Sequence, residues 1–354
     1  YQPKPSFITA AAFAPNNSKI VALGNVNGMI ALINLDSGEI NEITSAGVQV
    51  LNLVFKSDGK GLIVSRQTHL EYWDVDTHEL LQSQPKSDIF GLTFSPDDQY
   101  LVTGNWFGKV EVWDAHLQQE VTTWSGHEAQ IALIAFSPDG NYLATAGQDP
   151  VIKIWTWSDI LSNQSPPTPL EFKAHTSTVQ AIVFNSSSTC LASVGDDQTA
   201  ILWSLPQGKI LTLSSHQQPV YGVSFDPVLQ SYTDTLQPCG RRLTTISANG
   251  TLRQWNIGPT YEYRTWPLFQ QPSQTLAISP DQHFIAVAGD EGKIALLDQA
   301  SGVIQQQFAE TRRVNEVTFS PNGHWLATAS WNGSAKLWAL SSSSQSVITL
   351  TGHT

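Results

Sequence analysis

Short apolar runs alternate with turn-forming residues along the whole chain, and no stretch of useful length has the period of an amphipathic helix. The clearest example is residues 126–155, GHEAQIALIAFSPDGNYLATAGQDPVIKIW. There, a Gly-His turn precedes an apolar strand, an SPDG turn, a second strand and a third strand that ends in Trp155. Runs of this length, punctuated by Gly, Asn, Asp and Pro, are typical of short antiparallel strands. The pattern therefore predicts an all-β protein.

This pattern occurs eight times along the chain. The residues that end the first strand of each copy are Phe13, Phe55, Phe94, Phe136, Phe184, Phe225, Ile278 and Phe319. The residues in the position of Trp155 are Ile33, Trp73, Trp113, Trp155, Trp203, Trp255, Leu297 and Trp338. A repeat of about 40 residues with four short strands corresponds to one blade of a β-propeller. We therefore expect eight four-stranded antiparallel blades around a central channel, with seven blades as the alternative if the first or seventh copy forms no sheet.

The repeat fills residues 1–354 as a single propeller. The approximate blades are 1–43, 44–84, 85–124, 125–172, 173–213, 214–270, 271–308 and 309–354. The polar, Pro-rich insertion at 155–172 predicts a surface loop, and the aromatic-rich stretch 258–275 is either a plug against a blade edge or a recognition patch. Because the chain begins with Tyr1, we expect it to be a fragment of a larger multidomain protein.

Composition and charge narrow the class of function. The 12 Trp residues fit a repeat that carries about one Trp per copy. The formal charge of −12 argues against a partner that is nucleic acid or an anionic membrane, because neutralising phosphates needs clustered Lys and Arg. No apolar run reaches the roughly 18–20 residues of a membrane span. We expect a cytoplasmic protein without cofactor or metal.

The two cysteines form no C-x-x-C motif and have no zinc-ligand spacing. Cys190 lies in an apolar strand pattern, TCLASVG. We therefore expect Cys190 to be a small buried apolar side chain in reducing surroundings.

Several positions of the repeat match a known family. The pair Trp-Asp occurs at Trp73-Asp74 and Trp113-Asp114. The chain resembles the WD-repeat family of β-propellers, in the compact style of bacterial arrays. The resemblance implies a hydrogen-bonded network of His, Ser or Thr, Asp and Trp in a blade. These residues are His127, Thr145, Asp149 and Trp155 in the fourth copy, and His175, Ser193, Asp197 and Trp203 in the fifth.

The same residue types also occur in hydrolase triads. However, the set is repeated in successive copies, its hydroxyl is expected to accept the indole N–H, and the sequence has no G-x-S-x-G elbow. The structural role is favoured over catalysis.

The resemblance implies that partners bind the rim formed by the turns before the first strand and between the second and third strands. Large side chains in these turns bury much area with few rotatable bonds, as in interaction hot spots. The candidate contact residues are Phe7, Phe90, Trp106, Tyr221, Arg313, Asn315 and Trp331.

The favoured function is a non-catalytic interaction module, a scaffold or sensor that binds a protein or peptide and is linked to an upstream signalling domain. The alternatives are a propeller that binds a small ligand or carbohydrate, and an enzyme with a site in the channel. The enzyme hypothesis is disfavoured because Glu316 is the only acid in the predicted innermost strands, which contain no His.

Overall fold

The fold is an eight-bladed β-propeller in which each blade is a four-stranded antiparallel sheet. A computed structural model describes residues 8–15, 17–44, 47–162, 167–225, 239–240, 242–257, 263–269, 273–332, 334–340 and 347–350. In every blade the strands follow one another in chain order. The prediction of eight blades is confirmed, and the alternative of seven is wrong.

The structure divides into two compact units of four blades each, and the first consists of Tyr1–Ile89 with Gln274–Thr354. Its first two blades contain β1 (Ile8–Ala14), β2 (Asn17–Asn25), β3 (Met29–Asn34) and β4 (Ile40–Thr44), then β5 (Val50–Phe55), β6 (Gly61–Arg66), β7 (Leu70–Asp74) and β8 (Leu80–Gln84).

The second unit, Phe90–Ser273, contains blades three to six. The third and fourth blades contain β9 (Ile89–Phe94), β10 (Tyr100–Asn105), β11 (Lys109–Asp114) and β12 (Glu120–Ser125), then β13 (Ile131–Phe136), β14 (Tyr142–Gly147), β15 (Val151–Thr156), helix α1 (Trp157–Leu161) and β16 (Leu170–Lys173). The fifth and sixth contain β17 (Val179–Phe184), β18 (Cys190–Gly195), β19 (Ala200–Ser204) and β20 (Gly208–Leu213), then β21 (Val220–Phe225), β22 (Arg242–Ser247), β23 (Thr251–Asn256) and β24 (Tyr263–Pro267).

The seventh and eighth blades complete the first unit. They contain β25 (Ser273–Ile278), β26 (Phe284–Gly289), β27 (Lys293–Asp298) and β28 (Ile304–Ala309), then β29 (Val314–Phe319), β30 (Trp325–Ser330), β31 (Ala335–Ala339) and β32 (Val347–Leu350). Strand β32 pairs with β31, so the eighth blade obtains its fourth strand from its own sequence.

The turn between the first and second strands is shaped by its SPDG sequence. In the fourth blade, Ser137 Oγ donates to Asp139 Oδ1 over 2.6 Å and accepts from the backbone N–H of Tyr142 over 2.9 Å. Gly140 has a φ of 73°, which a residue without Cβ adopts without strain. The same pair of side-chain bonds forms in the third, seventh and eighth blades, at Ser95, Ser279 and Ser320.

The first and last blades pack against each other through aliphatic side chains. Ile8, Leu23 and Ile33 of blade one form a buried cluster with Ala329 and Leu337 of blade eight. Ile33 occupies the Trp position of its blade and is 1% exposed, so an aliphatic residue fills this site where the indole is absent. Aliphatic packing therefore joins the first and eighth blades.

Two stretches differ from the sequence-based expectation of loops. Residues 157–161 of the Pro-rich insertion form helix α1, because Trp157 packs its ring edge-on to Tyr100, at 5.6 Å, and to Phe136, at 4.7 Å. In the aromatic-rich stretch, Tyr263–Pro267 form the outer strand of blade six, and Tyr263 lies 4.8 Å from Trp255. Part of the aromatic-rich stretch therefore forms the outer edge of blade six.

The prediction for Cys190 was right about burial and wrong about chemistry. Cys190 is completely buried on β18, but it forms a disulfide with Cys239, which is 3% exposed. The Cα atoms are 5.2 Å apart, although 49 residues separate the two positions in the sequence. The bond crosses from the fifth blade to a residue that precedes β22 of the sixth, and this pairing has no signature in the spacing of two cysteines.

Candidate functional site

The side chains of His127, Thr145, Asp149 and Trp155 form one hydrogen-bonded network in the fourth blade. Trp155 Nε1 donates to Thr145 Oγ1 over 2.9 Å, and Thr145 Oγ1 lies 2.8 Å from His127 Nε2. His127 Nδ1 lies 2.8 Å from Asp149 Oδ2. Hydrogen bonds to His127 lower the pKa of Asp149 although burial opposes its ionisation. The structure thus brings together the four residues that the sequence grouped.

The fifth blade repeats this arrangement. Trp203 Nε1 donates to Ser193 Oγ over 2.8 Å, Ser193 Oγ lies 2.8 Å from His175 Nε2, and His175 Nδ1 lies 2.8 Å from Asp197 Oδ2. Burial lowers the pKa of His175, and this effect exceeds the attraction of Asp197. A neutral imidazole that donates from Nδ1 to a carboxylate accepts at Nε2, so the Ser193 hydroxyl donates its proton there.

The buried hydroxyls of these networks are unsuited to nucleophilic attack. Thr145 and Ser193 have no exposed surface. Each hydroxyl oxygen accepts an indole N–H while facing the imidazole, so its proton and one of its lone pairs are already used. A substrate would have to displace the Trp from the sheet packing to reach the oxygen. The geometry therefore favours a structural role.

The sixth blade keeps only part of the network. His216 Nε2 lies 2.7 Å from Thr245 Oγ1, which also accepts from Trp255 Nε1 over 2.8 Å. Asn249, in the position of the acid, accepts from Ser247 Oγ instead. Burial lowers the pKa of His216 to about 3, so this imidazole is neutral at physiological pH.

The eighth blade has a carboxylate in the position of the imidazole. Glu310 accepts from Thr328 Oγ1 over 3.0 Å and from Ser334 Oγ over 3.2 Å, and Lys336 Nζ lies 3.1 Å from its Oε2. Trp338 Nε1 donates to Thr328 over 3.2 Å, so the indole still has a hydroxyl acceptor. The Lys336 ammonium supplies the charge that a buried carboxylate needs.

The second blade uses a buried ion pair that sequence analysis did not identify. Arg66 Nε lies 2.8 Å from Glu71 Oε2, and that oxygen accepts from Trp73 Nε1 over 2.9 Å. Arg66 Nη1 also donates to the carbonyl oxygens of Gly28, at 2.7 Å, and Val48, at 3.0 Å. A Glu thus takes over the role of the hydroxyl, and an Arg that of the imidazole.

The predicted rim has the same backbone bond in several blades. The residue that follows the second strand donates its N–H to the residue that precedes the first strand, as Gln148 does to Gln130 over 3.1 Å and Asp196 to Thr178 over 3.0 Å. Side chains of these turns are also hydrogen-bonded. Gln148 Nε2 donates to Gln130 Oε1 over 2.9 Å, and Asp196 Oδ1 accepts from Gln180 Nε2 over 3.0 Å. These two rim positions are therefore polar and satisfied.

In the eighth blade the corresponding rim residues are Arg313 and Trp331. Trp331 donates its backbone N–H to the Arg313 carbonyl over 2.9 Å, and the Arg313 guanidinium lies 4.7 Å from the centroid of the Trp331 ring. Arg313 Nε is also 3.2 Å from Asp290 Oδ1. Trp331 nevertheless keeps 45% of its surface exposed. The contact with Asp290 was not predicted, because Asp290 belongs to the seventh blade and no local pattern links it to Arg313.

In the third blade the rim carries three aromatic residues. Trp106 is 49% exposed, Phe107 is 72% exposed, and the rings of Phe90 and Trp106 lie 5.8 Å apart at 52°. Asn105 Oδ1 holds the turn by accepting from the backbone N–H groups of Phe107 and Lys109, each over 3.0 Å. Phe107 was not among the predicted contact residues, although its presence in the position of the acid was the available signal.

The remaining predicted rim residues contribute differently. Phe7 lies outside the described residues. Tyr221 is partly buried on β21. Asn315 Nδ2 is directed at the Ile8 carbonyl of the first blade, at 3.4 Å, so it takes part in packing between blades. The structure therefore pairs Arg313 with Trp331 and Phe90 with Trp106, and it groups no others of the six predicted residues that it describes.

The described ranges contain neither a candidate metal site nor a candidate membrane-spanning helix. No group of three or more His, Cys, Asp or Glu side chains there could hold a metal ion. No helix in that part of the chain is long and apolar enough to cross a membrane.

Comparison with protein families finds the WD domain, G-beta repeat, at residues 77–114, 118–156, 168–204 and 302–339. Periodic tryptophan protein 2 of Arabidopsis thaliana is 26% identical over 80% of this chain and 31% of that protein. Protein HIR1 of Cryptococcus neoformans is 27% identical over 58% of this chain and 24% of that protein. The chain thus spans about a third or less of the length of these two relatives. Because both relatives are eukaryotic, the prediction of a bacterial-style array is wrong.

Solved structures show the same fold at low sequence identity. The computationally designed Ika8 protein has a TM-score of 0.78 and 20% identity, covering 96% of this chain and 98% of that one. The C-terminal WD40 domain of Sif2 has a TM-score of 0.80 and 15% identity, covering 96% and 97%. Together with the matched repeats and the eight sheets, these similarities lead to one conclusion. The chain contains WD repeats and folds as an eight-bladed β-propeller.

Proposed function

We propose that this chain is a non-catalytic interaction module that binds a protein or peptide through the aromatic turns of its third and eighth blades. One observation carries the proposal. Trp106 and Trp331 occupy the same position of the repeat, directly after the second strand, and remain 49% and 45% exposed. In the fourth and fifth blades this position holds hydrogen-bonded polar side chains.

The contacts of the two indoles support a prepared binding surface. Each ring is oriented by a neighbour from the first strand or the turn before it, Phe90 in one case and Arg313 in the other. A ring that is already oriented loses little conformational freedom when a partner covers it, and exposed Trp is enriched in interaction hot spots.

The proposal is tested by capture of partners from extracts of the source cells, followed by cross-linking to map the surface. The double variant Trp106→Ala/Trp331→Ala should lose the captured partner, and its thermal unfolding should shift by less than about 2 °C. Leu81→Ala, which removes a side chain that is 49% exposed on β8, is the matched control. Equal capture by the double variant and the wild-type chain would refute the role of these turns.

We propose further that the module acts in the cytoplasm as part of a longer signalling or scaffold protein. The Cys190–Cys239 bond does not support this location, because cytoplasmic glutathione keeps most cysteine pairs reduced. Fractionation of the source cells tests the location, and the chain should be found in the cytosolic fraction. Its recovery in a secreted or organelle fraction would contradict a cytoplasmic location.

A further inference from the structure

In the eighth blade, the exposed rim residue Trp331 contacts a cationic side chain of its own chain. Arg313 directly precedes β29 and places its guanidinium 4.7 Å from the ring centroid of Trp331. Asp290 Oδ1 lies 3.2 Å from Arg313 Nε and balances its charge. A cation over an indole face is attracted by the ring quadrupole. The Trp331 ring is therefore already in contact with a cation from its own chain.

The third blade has a Trp in the same position of the repeat but no such cation. Trp106 directly follows β10, as Trp331 follows β30. The residue before the first strand is Asp88, where the eighth blade has Arg313. Among the described residues, the ring contact of Trp106 is with Phe90, and no Lys or Arg lies over the indole. The Trp106 ring therefore remains available to a cation from outside.

The charge around this turn favours a basic partner. The chain carries 30 acidic and 18 basic residues, so its long-range field attracts cations. The Gly108 carbonyl accepts from the backbone N–H groups of Gly126 and His127, over 2.8 and 2.9 Å, which joins the aromatic turn to the turn before β13. Glu128 follows His127 on that second turn and is exposed. Glu128 is thus an exposed acid on a turn whose backbone is joined to the aromatic turn, and the nearby Lys109 ammonium lies 3.9 Å from Glu111.

We propose that the aromatic turn of blade three, Trp106 and Phe107, binds an arginine or lysine side chain from a basic segment of the partner protein. The cation lies over the Trp106 ring as Arg313 lies over Trp331, its aliphatic part covers Phe107, and Glu128 attracts its charge. This inference rests on the proposed function, because it names the partner chemistry of one of the two turns.

The test uses the whole chain and short synthetic peptides of one length, in which a central Arg flanked by Leu is replaced by Lys, Gln or Glu. Binding is measured by fluorescence anisotropy at two salt concentrations. The Arg peptide should bind about three- to thirtyfold more tightly than the Gln peptide, the range of a cation–π contact. Trp106→Ala should remove this difference, so that the Arg and Gln peptides bind it equally. Glu128→Gln should weaken the Arg peptide and reduce its dependence on salt.

Leu81→Ala is the control, since it removes an exposed side chain on β8 outside both aromatic turns, and it should leave peptide binding unchanged. Tighter binding of the Glu peptide, equal loss of all peptides in Trp106→Ala, or no measurable binding of the Arg peptide would overturn the inference. In those cases, continued loss of partner capture in the double Trp variant would show that the proposed function holds and only the basic character of the partner is wrong.

Discussion

At the scale of single residues, the indole N–H of each buried Trp needs an acceptor, and the blades meet this need in different ways. Thr145 and Ser193 provide hydroxyls, whereas Glu71 provides a carboxylate. A buried donor without an acceptor costs about 1–3 kcal/mol, so the acceptor matters more than its chemical type. Thr145 and Ser193 could be predicted as acceptors, because a His and an Asp occur in the same blade at the spacing of the repeat. The blade that contains Glu71 has no His and Asp at that spacing.

The variant Thr145→Val tests this requirement, since it keeps the side-chain shape and removes the hydroxyl. Trp155 Nε1 and His127 Nε2 both lose their partner, so the free energy of unfolding should fall by about 2–4 kcal/mol. Chemical denaturation measures the change. Thr156→Val, at an exposed position whose side chain makes no capping hydrogen bond, should change stability by less than about 0.5 kcal/mol. Equal effects of the two substitutions would contradict the network.

A second prediction concerns Glu316 on β29. Its Oε2 accepts from the Ala11 backbone N–H of the first blade over 3.1 Å, and burial raises the pKa of its carboxyl from 4.5 to about 7. Because the folded pKa is above the unfolded one, the stability contributed by the protonated form is complete below about pH 4.5 and is lost as pH rises through 7. Glu316→Gln should therefore be more stable than the wild-type chain at pH 8, by on the order of 2 kcal/mol, and similar at pH 4.5.

Unfolding of both proteins in urea across this pH range measures the difference. Glu42→Gln, at an exposed position on β4, is the control and should show no such pH dependence. A constant difference between Glu316→Gln and the wild-type chain at all pH values would refute the prediction.

At the scale of elements, the turns and strand order follow from the sequence, whereas the links between blades do not. The SPDG turn is local, and its Ser and Asp bond within five residues, so its pattern is visible in the sequence. Helix α1 has only five residues, too few to show a helical period, and it is held by the packing of Trp157. Arg66 reaches the Gly28 carbonyl of the preceding blade, which no local pattern reveals.

The buried pair of Arg66 and Glu71 predicts a strong asymmetry between single and double substitution. Arg66→Met leaves the Glu71 carboxylate buried without its cation, so it should cost about 3–5 kcal/mol. Adding Glu71→Gln removes the charge and keeps an acceptor for Trp73, so the double variant should regain part of the loss. Thermal and urea unfolding measure both. Lys153→Met, which breaks a partly exposed pair with Glu171, should cost under about 1 kcal/mol. Additive losses in the double variant would contradict this account.

At the scale of the whole molecule, the fold was predictable because eight copies share one spacing, while the disulfide was not, since it joins two unrelated positions of adjacent copies. The bond closes a separation of 49 residues, for which the chain-entropy estimate is about 4 kcal/mol. Reduction, or Cys190→Ala with Cys239→Ala, should therefore lower the urea midpoint, and the double variant should lose its response to reductant. Identical midpoints with and without reductant in the wild-type chain would show that the bond does not stabilise the fold.

The ion pair of the second blade also constrains how this protein can evolve. Loss of either Arg66 or Glu71 alone strands a charge inside the protein, and Trp73 depends on the same carboxylate oxygen. Replacing this pair, one residue at a time, by the His and hydroxyl arrangement of the fourth blade passes through such an unstable intermediate. Natural selection removes intermediates of that kind, so the two codons are expected to change together or stay as they are. The second blade is therefore expected to keep its Arg–Glu pair, although the fourth and fifth blades use a His and a hydroxyl in the same roles.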